Sequence, residues 1–264
     1  QQKALATTDI IDEAIVNLHF VCQQNGWQEA TIIINDYPIT FDDEFHCAFE
    51  LKEQLFIQSI YEGKASPYLE KLFEADGYFE FSTQDAQQLN HADLFTQDLI
   101  ILDELKHISS GLSQTLQHFV SEGGSLLIFP SEESELPNYK GFLQGLGTDY
   151  YLSIDKTPIK ITQLHEKHNL FQGVFEELNQ KIDFPKIEQY FTQTNFSKTT
   201  SSPLLSLENG QALISEYQHR KGKIYLSNIG LEKTFGNFGQ HALFVPILYN
   251  MASHAGGTQS LYHQ

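Results

Sequence analysis

The sequence predicts an α/β protein: a mostly parallel sheet covered by helices on both faces, joined to a small N-terminal β unit over residues 1–53. Three observations carry this reading. From Leu55 onward short apolar runs alternate with amphipathic stretches, the rhythm of parallel strands linked by helical crossovers. The runs at 99–102 and 125–129 are apolar at nearly every position, as strands buried on both faces must be. Before residue 54 helical periodicity is scarce, and the runs are β-branched and aromatic instead.

Within the first unit, strands are expected at 14–21, 29–35 and 41–51. Asn25-Gly26 is a strong turn signal, Asn35-Asp36-Tyr37-Pro38 punctuates the next connection, and Asp42-Asp43-Glu44 should stay near solvent. So few strands need another surface to cover their apolar face. The second unit starts with a strand at 56–61. Ser66-Pro67 then opens a helix over 67–75, with Tyr68, Leu69, Leu72 and Phe73 on its apolar side and Glu70, Lys71 and Glu74 facing water. Further strands follow at 78–81 and 99–102.

Ser109-Ser110 can cap the next helix, whose apolar positions include Leu112, Leu116, Phe119 and Val120, and Gly123-Gly124 stops it. The strand at 125–129 ends at Pro130. A helix is expected over 138–146, ending at Gly147. Residues 148–217 then read as an insertion, with strands at 157–164 and 187–194, a polar loop at 195–203 and a hairpin over 204–217. A strand at 224–227 returns to the sheet. The last helix spans 240–253, with Pro246 as a kink point.

Composition narrows the function classes. At 264 residues, with 41% apolar and 19% charged side chains, the chain can bury a core without staples. Its 34 acidic and 16 basic residues give a formal charge of -18, and Arg220 is the single arginine. That field repels a phosphate backbone, so no nucleic-acid partner is expected. The densest basic cluster, His219-Arg220-Lys221-Gly222-Lys223, reads as a polar turn feeding a strand. Cys22 and Cys47 are too few for a disulfide framework or a thiolate zinc site, although one bridge between them is open. No signal-peptide pattern opens the chain, and no apolar stretch nears the length of a membrane span. Gln1-Gln2-Lys3 reads as an internal cut, so membrane segments of a longer natural chain would lie outside this fragment.

Few residue patterns carry chemistry. No Walker phosphate loop is present, and Gly123-Gly124 precedes its strand instead of following it, so no nucleotide or other cofactor is expected. Ser131 follows Pro130 and is trailed by Glu132, Glu133 and Glu135, without a G-x-S-x-G setting. It reads first as a loop or helix-start residue and second as a hydrolase nucleophile needing a distant base such as His165 or His241. His165 and His168, with His91 and Asp93, are weak metal-ligand candidates. His165-Glu166-Lys167-His168 lacks the H-E-x-x-H spacing, and three or four ligands would have to converge.

The run from Asp98 to Leu105, then Ser109-Ser-Gly-Leu112 and the stretch from Phe119 to Phe129, resembles the glutamine-amidotransferase-like α/β superfamily, a flavodoxin-like fold class, over residues 54–264. With Phe171-Gln-Gly-Val174, Lys221-Gly-Lys-Ile-Tyr225 and the stretch from Gln240 to Tyr249, the chain is similar to the extracytoplasmic region of Bacteroidetes BatA-type proteins with an aerotolerance-regulator N-terminal membrane domain. That resemblance implies a periplasmic location, transmembrane helices outside both ends of this fragment, and association with Bat membrane proteins containing von Willebrand A domains.

An active amidotransferase places a cysteine on the strained turn after a buried strand and brings a histidine from beyond a late strand. Here Pro130 and Ser131 stand after the matching strand, and Asn228-Ile229-Gly230 follows the late one. Both cysteines precede the α/β unit. The expectation is therefore a noncatalytic interaction or structural domain. A hydrolase using Ser131 is the alternative, and a small-ligand or metal sensor is the third reading.

Overall fold

The computed structural model describes residues 4–5, 25–34, 43–171, 174, 183–195 and 201–255. The chain divides into two compact units, one holding the first two strands and the other spanning residues 54–258. In the first, β1 (Gly26–Ile33) and β2 (Glu44–Leu51) pair antiparallel without a register shift, Gly26 opposite Leu51 and Ile33 opposite Glu44. Thr31 and His46 face each other across the ribbon, hydroxyl to Nδ1 at 3.0 Å. Cys47 is a free thiol whose Sγ lies 3.6 Å from the Ala30 carbonyl. The strand expected at 14–21 and Cys22 lie outside the described residues.

The second unit is built on an eight-stranded sheet. Its strands are β3 (Leu55–Tyr61), β4 (Phe79–Asp85), β5 (Leu99–Asp103), β6 (Ser125–Phe129), β8 (Ile161–Leu164), β10 (Ser201–Leu207), β11 (Ala212–His219) and β12 (Gly222–Ser227). They lie in the order β4-β3-β5-β6-β12-β11-β10-β8. The first five run parallel, and β11, β10 and β8 extend the sheet by antiparallel pairings. Numbered along the chain, the parallel strands have the flavodoxin-like order 2-1-3-4-5. Every residue of β5 and β6 is buried. Since successive side chains leave opposite faces of a strand, both faces of the sheet centre are covered.

Among the described residues four α-helices supply the cover: α1 (Pro67–Phe73), α2 (Ser110–Ser121), α3 (Leu136–Leu146) and α4 (Phe244–Ser253). α1 packs on β4 and α4, and α4 also packs on β3, whereas α2 packs on β6, β12 and α3. Phe73 of α1 meets Phe79 and Phe81 of β4, each at 5.4 Å between ring centroids, and Tyr249 of α4 closes on Phe79 at 5.1 Å. α2 begins where the sequence predicts, with Ser109 Oγ accepting the Leu112 amide at 3.2 Å. Ser109→Ala is expected to cost about 1 kcal/mol of stability, read as a lower urea midpoint with an unchanged slope.

Three expectations need correction. The last helix starts at Phe244 instead of residue 240, because Phe238–Gln240 forms a separate 3-10 turn. Pro246 therefore sits in the first helical turn, where its missing N–H costs no hydrogen bond. α3 starts two residues early, at Leu136, since Pro137 suits a first turn. It ends at Gly147, which adopts φ +75° so that Thr148 N–H reaches back to the Leu143 carbonyl at 3.1 Å. Finally, the polar stretch 195–203 is not loop throughout, as β10 already begins at Ser201. Pro203 is accommodated beside a register shift between Pro203 and Leu205, the setting in which a strand tolerates proline.

In the stretch 148–217, β7 (Tyr151–Asp155) and β9 (Tyr190–Gln193) pair into a separate two-stranded ribbon, while β8, β10 and β11 join the main sheet. Nothing in the periodicity marked β7, a strand of five residues with only its first fully buried.

Candidate functional site

In an open α/β sheet, ligands meet the chain beyond the C-terminal ends of the strands, above all where the strand order reverses. Here that place lies between β3 and β5, flanked by the loops after β6 and β12. β5 closes on two acids, Asp103 and Glu104. Asp103 is 3% exposed, and its Oδ2 accepts the Ser66 amide at 2.7 Å, which fixes the entry into α1. Its Oδ1 is buried with no hydrogen-bond partner among the described residues.

Glu104 holds a left-handed backbone, φ +58°, a conformation that costs a non-glycine residue energy and clusters at functional turns. Its Oε1 accepts two amides of the loop after β12, from Leu231 at 2.8 Å and Glu232 at 3.0 Å. Gly230 passes so close that an added Cβ would strike Glu104 Oε1 and lie 2.6 Å from the Pro130 carbonyl oxygen. The strained residue of the rim thus stands after β5, one strand away from the turn where an amidotransferase carries its nucleophile.

Burial dominates the electrostatics. It pushes the Asp103 carboxyl up to about 7, against the opposing Ser66 amide and with help from the charges of Glu70 and Glu232. Burial likewise raises Glu104 to about 8, against the Glu232 and Leu231 amides and with the Asp103 charge adding to the rise. Both carboxyls therefore ionise well above the usual carboxylate range, Asp103 around neutrality and Glu104 above it.

Other side chains tie the remaining rim loops together. Glu62 Oε2 accepts the Lys106 amide at 3.1 Å. Asn138 clasps Ile108 from both sides, accepting its N–H at 2.8 Å and donating to its carbonyl at 2.9 Å. The buried Tyr139 hydroxyl donates to the Leu105 carbonyl at 2.6 Å. Above them His107 pairs with Glu135 at 2.9 Å and Lys106 with Glu133. A cleft of about 470 Å³ opens between the starts of α2 and α3, lined by residues that include His107, Ser110, Ser113 and Asn138. Chemically, the rim's acids accept backbone amides; they do not converge on a nucleophile.

Ser131, the serine candidate, is buried at 6% exposure, and its Oγ accepts the Glu133 amide at 3.2 Å, a local turn contact. His165 follows β8, four strands or about 19 Å sideways from β6 at ordinary strand spacing, and β8 runs antiparallel to β6, so His165 stands at the opposite edge of the sheet from Ser131. Its Nε2 is bonded to Ser206 Oγ at 2.8 Å, and burial lowers its pKa. His241 Nδ1 accepts the Leu243 amide at 3.2 Å just before α4, and its Nε2 lies 3.7 Å from Asp183. The structure gives Ser131 no hydrogen bond to either histidine among the described residues.

The metal candidates are each bonded to other groups. His91 Nδ1 bonds Thr115 at 2.9 Å, Asp93 accepts Asn90 Nδ2 at 3.0 Å, and His168 Nδ1 accepts the Leu170 amide at 3.1 Å. Among the described residues, no three His, Cys, Asp or Glu side chains are grouped to hold a metal ion. The sequence reading does not single out the Asp103-Glu104 pair, which lies at the end of a longer apolar run. The available signal was two acids closing an otherwise buried apolar strand, Leu99-Ile-Ile-Leu-Asp-Glu104.

No family model matches the sequence, and no curated protein matches it either. Solved structures do. A cytoplasmic protein from Salmonella typhimurium superposes with a TM-score of 0.59 at 15% identity, over 87% of this chain and 96% of that one. A ThuA-like protein from Bacteroides uniformis gives 0.54 at 13% identity, over 84% of this chain and 95% of that one. A β-galactosidase from Bacillus circulans gives 0.53 at 12% identity, over 76% of this chain but 31% of the enzyme. At these identities the likeness is one of fold alone, and with the strand order it shows the second unit to be an α/β domain on a mostly parallel, flavodoxin-like sheet.

Proposed function

We propose that this chain is a noncatalytic interaction or structural module, the periplasmic part of a membrane-anchored protein that associates with Bat-type proteins carrying von Willebrand A domains. The observation that carries the noncatalytic reading is the turn after β6. Pro130 and Ser131 occupy it, and Ser131 Oγ is engaged by the Glu133 amide. The latched rim supports the same reading: Glu62, Asp103, Glu104 and Asn138 hold loops to one another, which suits a surface presented in one shape to a partner. The membrane and Bat assignments rest on the sequence resemblance. No helix among the described residues is long and apolar enough to cross a membrane.

A serine-directed fluorophosphonate probe is expected to leave the protein unlabelled, with no difference between wild type and Ser131→Ala. Labelling that disappears in Ser131→Ala replaces this reading with a hydrolase. For the partner, the purified chain is titrated against an isolated von Willebrand A domain of a Bat-type protein by biolayer interferometry. Binding that weakens in His107→Ala or Ser113→Ala, at the cleft between α2 and α3, supports the module; its absence removes the Bat assignment.

A further inference from the structure

The β10–β11 hairpin reverses through Glu208-Asn209-Gly210-Gln211. In an Asn-Gly pair the side-chain amide lies next to a backbone nitrogen that no Cβ shields. We propose that Asn209 is a site of spontaneous deamidation gated by opening of this turn, and that the Tyr190 hydroxyl of β9 holds the gate shut.

The chemistry needs water and no other reactant. Gly210 N attacks Asn209 Cγ, the bond from Cγ to Nδ2 breaks, and the nitrogen leaves as ammonia with the proton that Gly210 gives up. Water then opens the cyclic imide at one of its two carbonyls, to aspartate or to isoaspartate. No atom is oxidised or reduced.

Asn209 and Gly210 are both exposed, so burial does not protect them. Hydrogen bonding does. Gly210 N–H donates to the Leu207 carbonyl at 3.0 Å, and the Leu207 amide donates to the Gln211 carbonyl at 2.8 Å, which closes the turn. Gly210 adopts φ +81°, so the residue that makes the pair reactive is also the one the turn requires. The Asn209 carboxamide is held at both ends: Oδ1 accepts the Gln211 amide at 3.0 Å, and Nδ2 donates to the Tyr190 hydroxyl at 3.0 Å. Tyr190 is 4% exposed and gives its own proton to Asp155 Oδ2 at 3.2 Å, which leaves its oxygen as the acceptor for Asn209. Attack requires Gly210 N to leave Leu207 and the carboxamide to turn away from Gln211 and Tyr190, so it waits on local opening.

The product undoes the tie that delayed it. A carboxylate at position 209 has no N–H to donate, and it meets Asp155 across the one hydroxyl they share, beside Glu208. Isoaspartate also adds a backbone carbon to the turn. Both products loosen the hold of the β7–β9 ribbon on the β10–β11 turn.

Peptide mass spectrometry of protein aged at pH 8, native and in urea, measures conversion at Asn209, and amide hydrogen exchange measures opening. Conversion is expected to be roughly a hundredfold slower in the native protein than in urea, the weight of three ordinary hydrogen bonds. Tyr190→Phe keeps the ring and is expected to speed native conversion about fivefold, the weight of one. Exchange at the Gly210 amide should rise with it, while exchange at Leu127 in the sheet centre stays as in wild type. Asn209→Asp should speed exchange at the Gly210 and Gln211 amides. No conversion in either state, equal conversion in both, an unchanged rate in Tyr190→Phe, or a rate that rises only in step with Leu127 exchange would overturn the gated site. Wild-type exchange in Asn209→Asp would overturn its consequence. None of these outcomes depends on whether the module binds a Bat-type partner.

Discussion

Asp103→Asn should make this protein more stable in mild alkali and lessen the fall in its stability between pH 5 and pH 8. The sign follows from which state holds the proton. In the unfolded chain Asp103 ionises in the ordinary aspartate range, whereas in the folded chain burial raises its carboxyl to about 7. Between those values the native state binds more protons than the unfolded one, so stability falls as pH rises. Below the unfolded value the contribution is fully present, and it is lost as pH rises through about 7. For a residue 3% exposed, the displacement corresponds to roughly 4 kcal/mol at pH 8. Asparagine keeps the acceptor for the Ser66 amide and cannot ionise. Urea unfolding of wild type and variant at pH 5 and pH 8 measures the effect. Parallel pH dependences in the two proteins would mean that Asp103 is already ionised in the fold. Because Glu104 is raised by the Asp103 charge as well as by burial, its own titration should move downward in the variant.

Gly230→Ala is expected to destabilise the protein by about 3 kcal/mol, at the upper end for overpacking. The new methyl would meet Glu104 Oε1, the Pro130 carbonyl oxygen at 2.6 Å and the Phe235 ring at 2.7 Å. A side-chain oxygen can swing away, but the Pro130 carbonyl is backbone at the end of β6 and cannot yield without disturbing the sheet. Swinging Glu104 also gives up its bonds to the Leu231 and Glu232 amides. The loss should therefore appear as a lower urea midpoint together with faster hydrogen exchange at those two amides. Wild-type exchange there would show that Glu104 does not hold the loop. The double variant Gly230→Ala with Glu104→Ala separates the two causes: relief by the second change assigns the clash to the carboxylate, and no relief assigns it to Pro130.

Both expectations concern residues whose importance was hard to read from the chain. The sheet centre was legible because parallel strands covered on both faces need apolar side chains at every position, and Leu99–Leu102 and Leu126–Phe129 supply them. α1 and α2 were legible because Ser66-Pro67 and Ser109 cap them by local bonds. By contrast, β7 is short and half exposed, and β10 contains a proline that only the bulge beside Pro203 makes acceptable.

Local order thus settled the α/β class and the starts of α1 and α2, because caps and apolar runs act through neighbours in the chain. The tertiary structure alone decided that Asp103 and Glu104 are buried acids holding loops from Ser66 and from Leu231-Glu232. Asp103 and Ser66 are far apart in sequence, as are Glu104 and Leu231. A carboxyl's proton affinity depends on the water excluded around it and the amides aimed at it, and both are fixed only when distant segments meet.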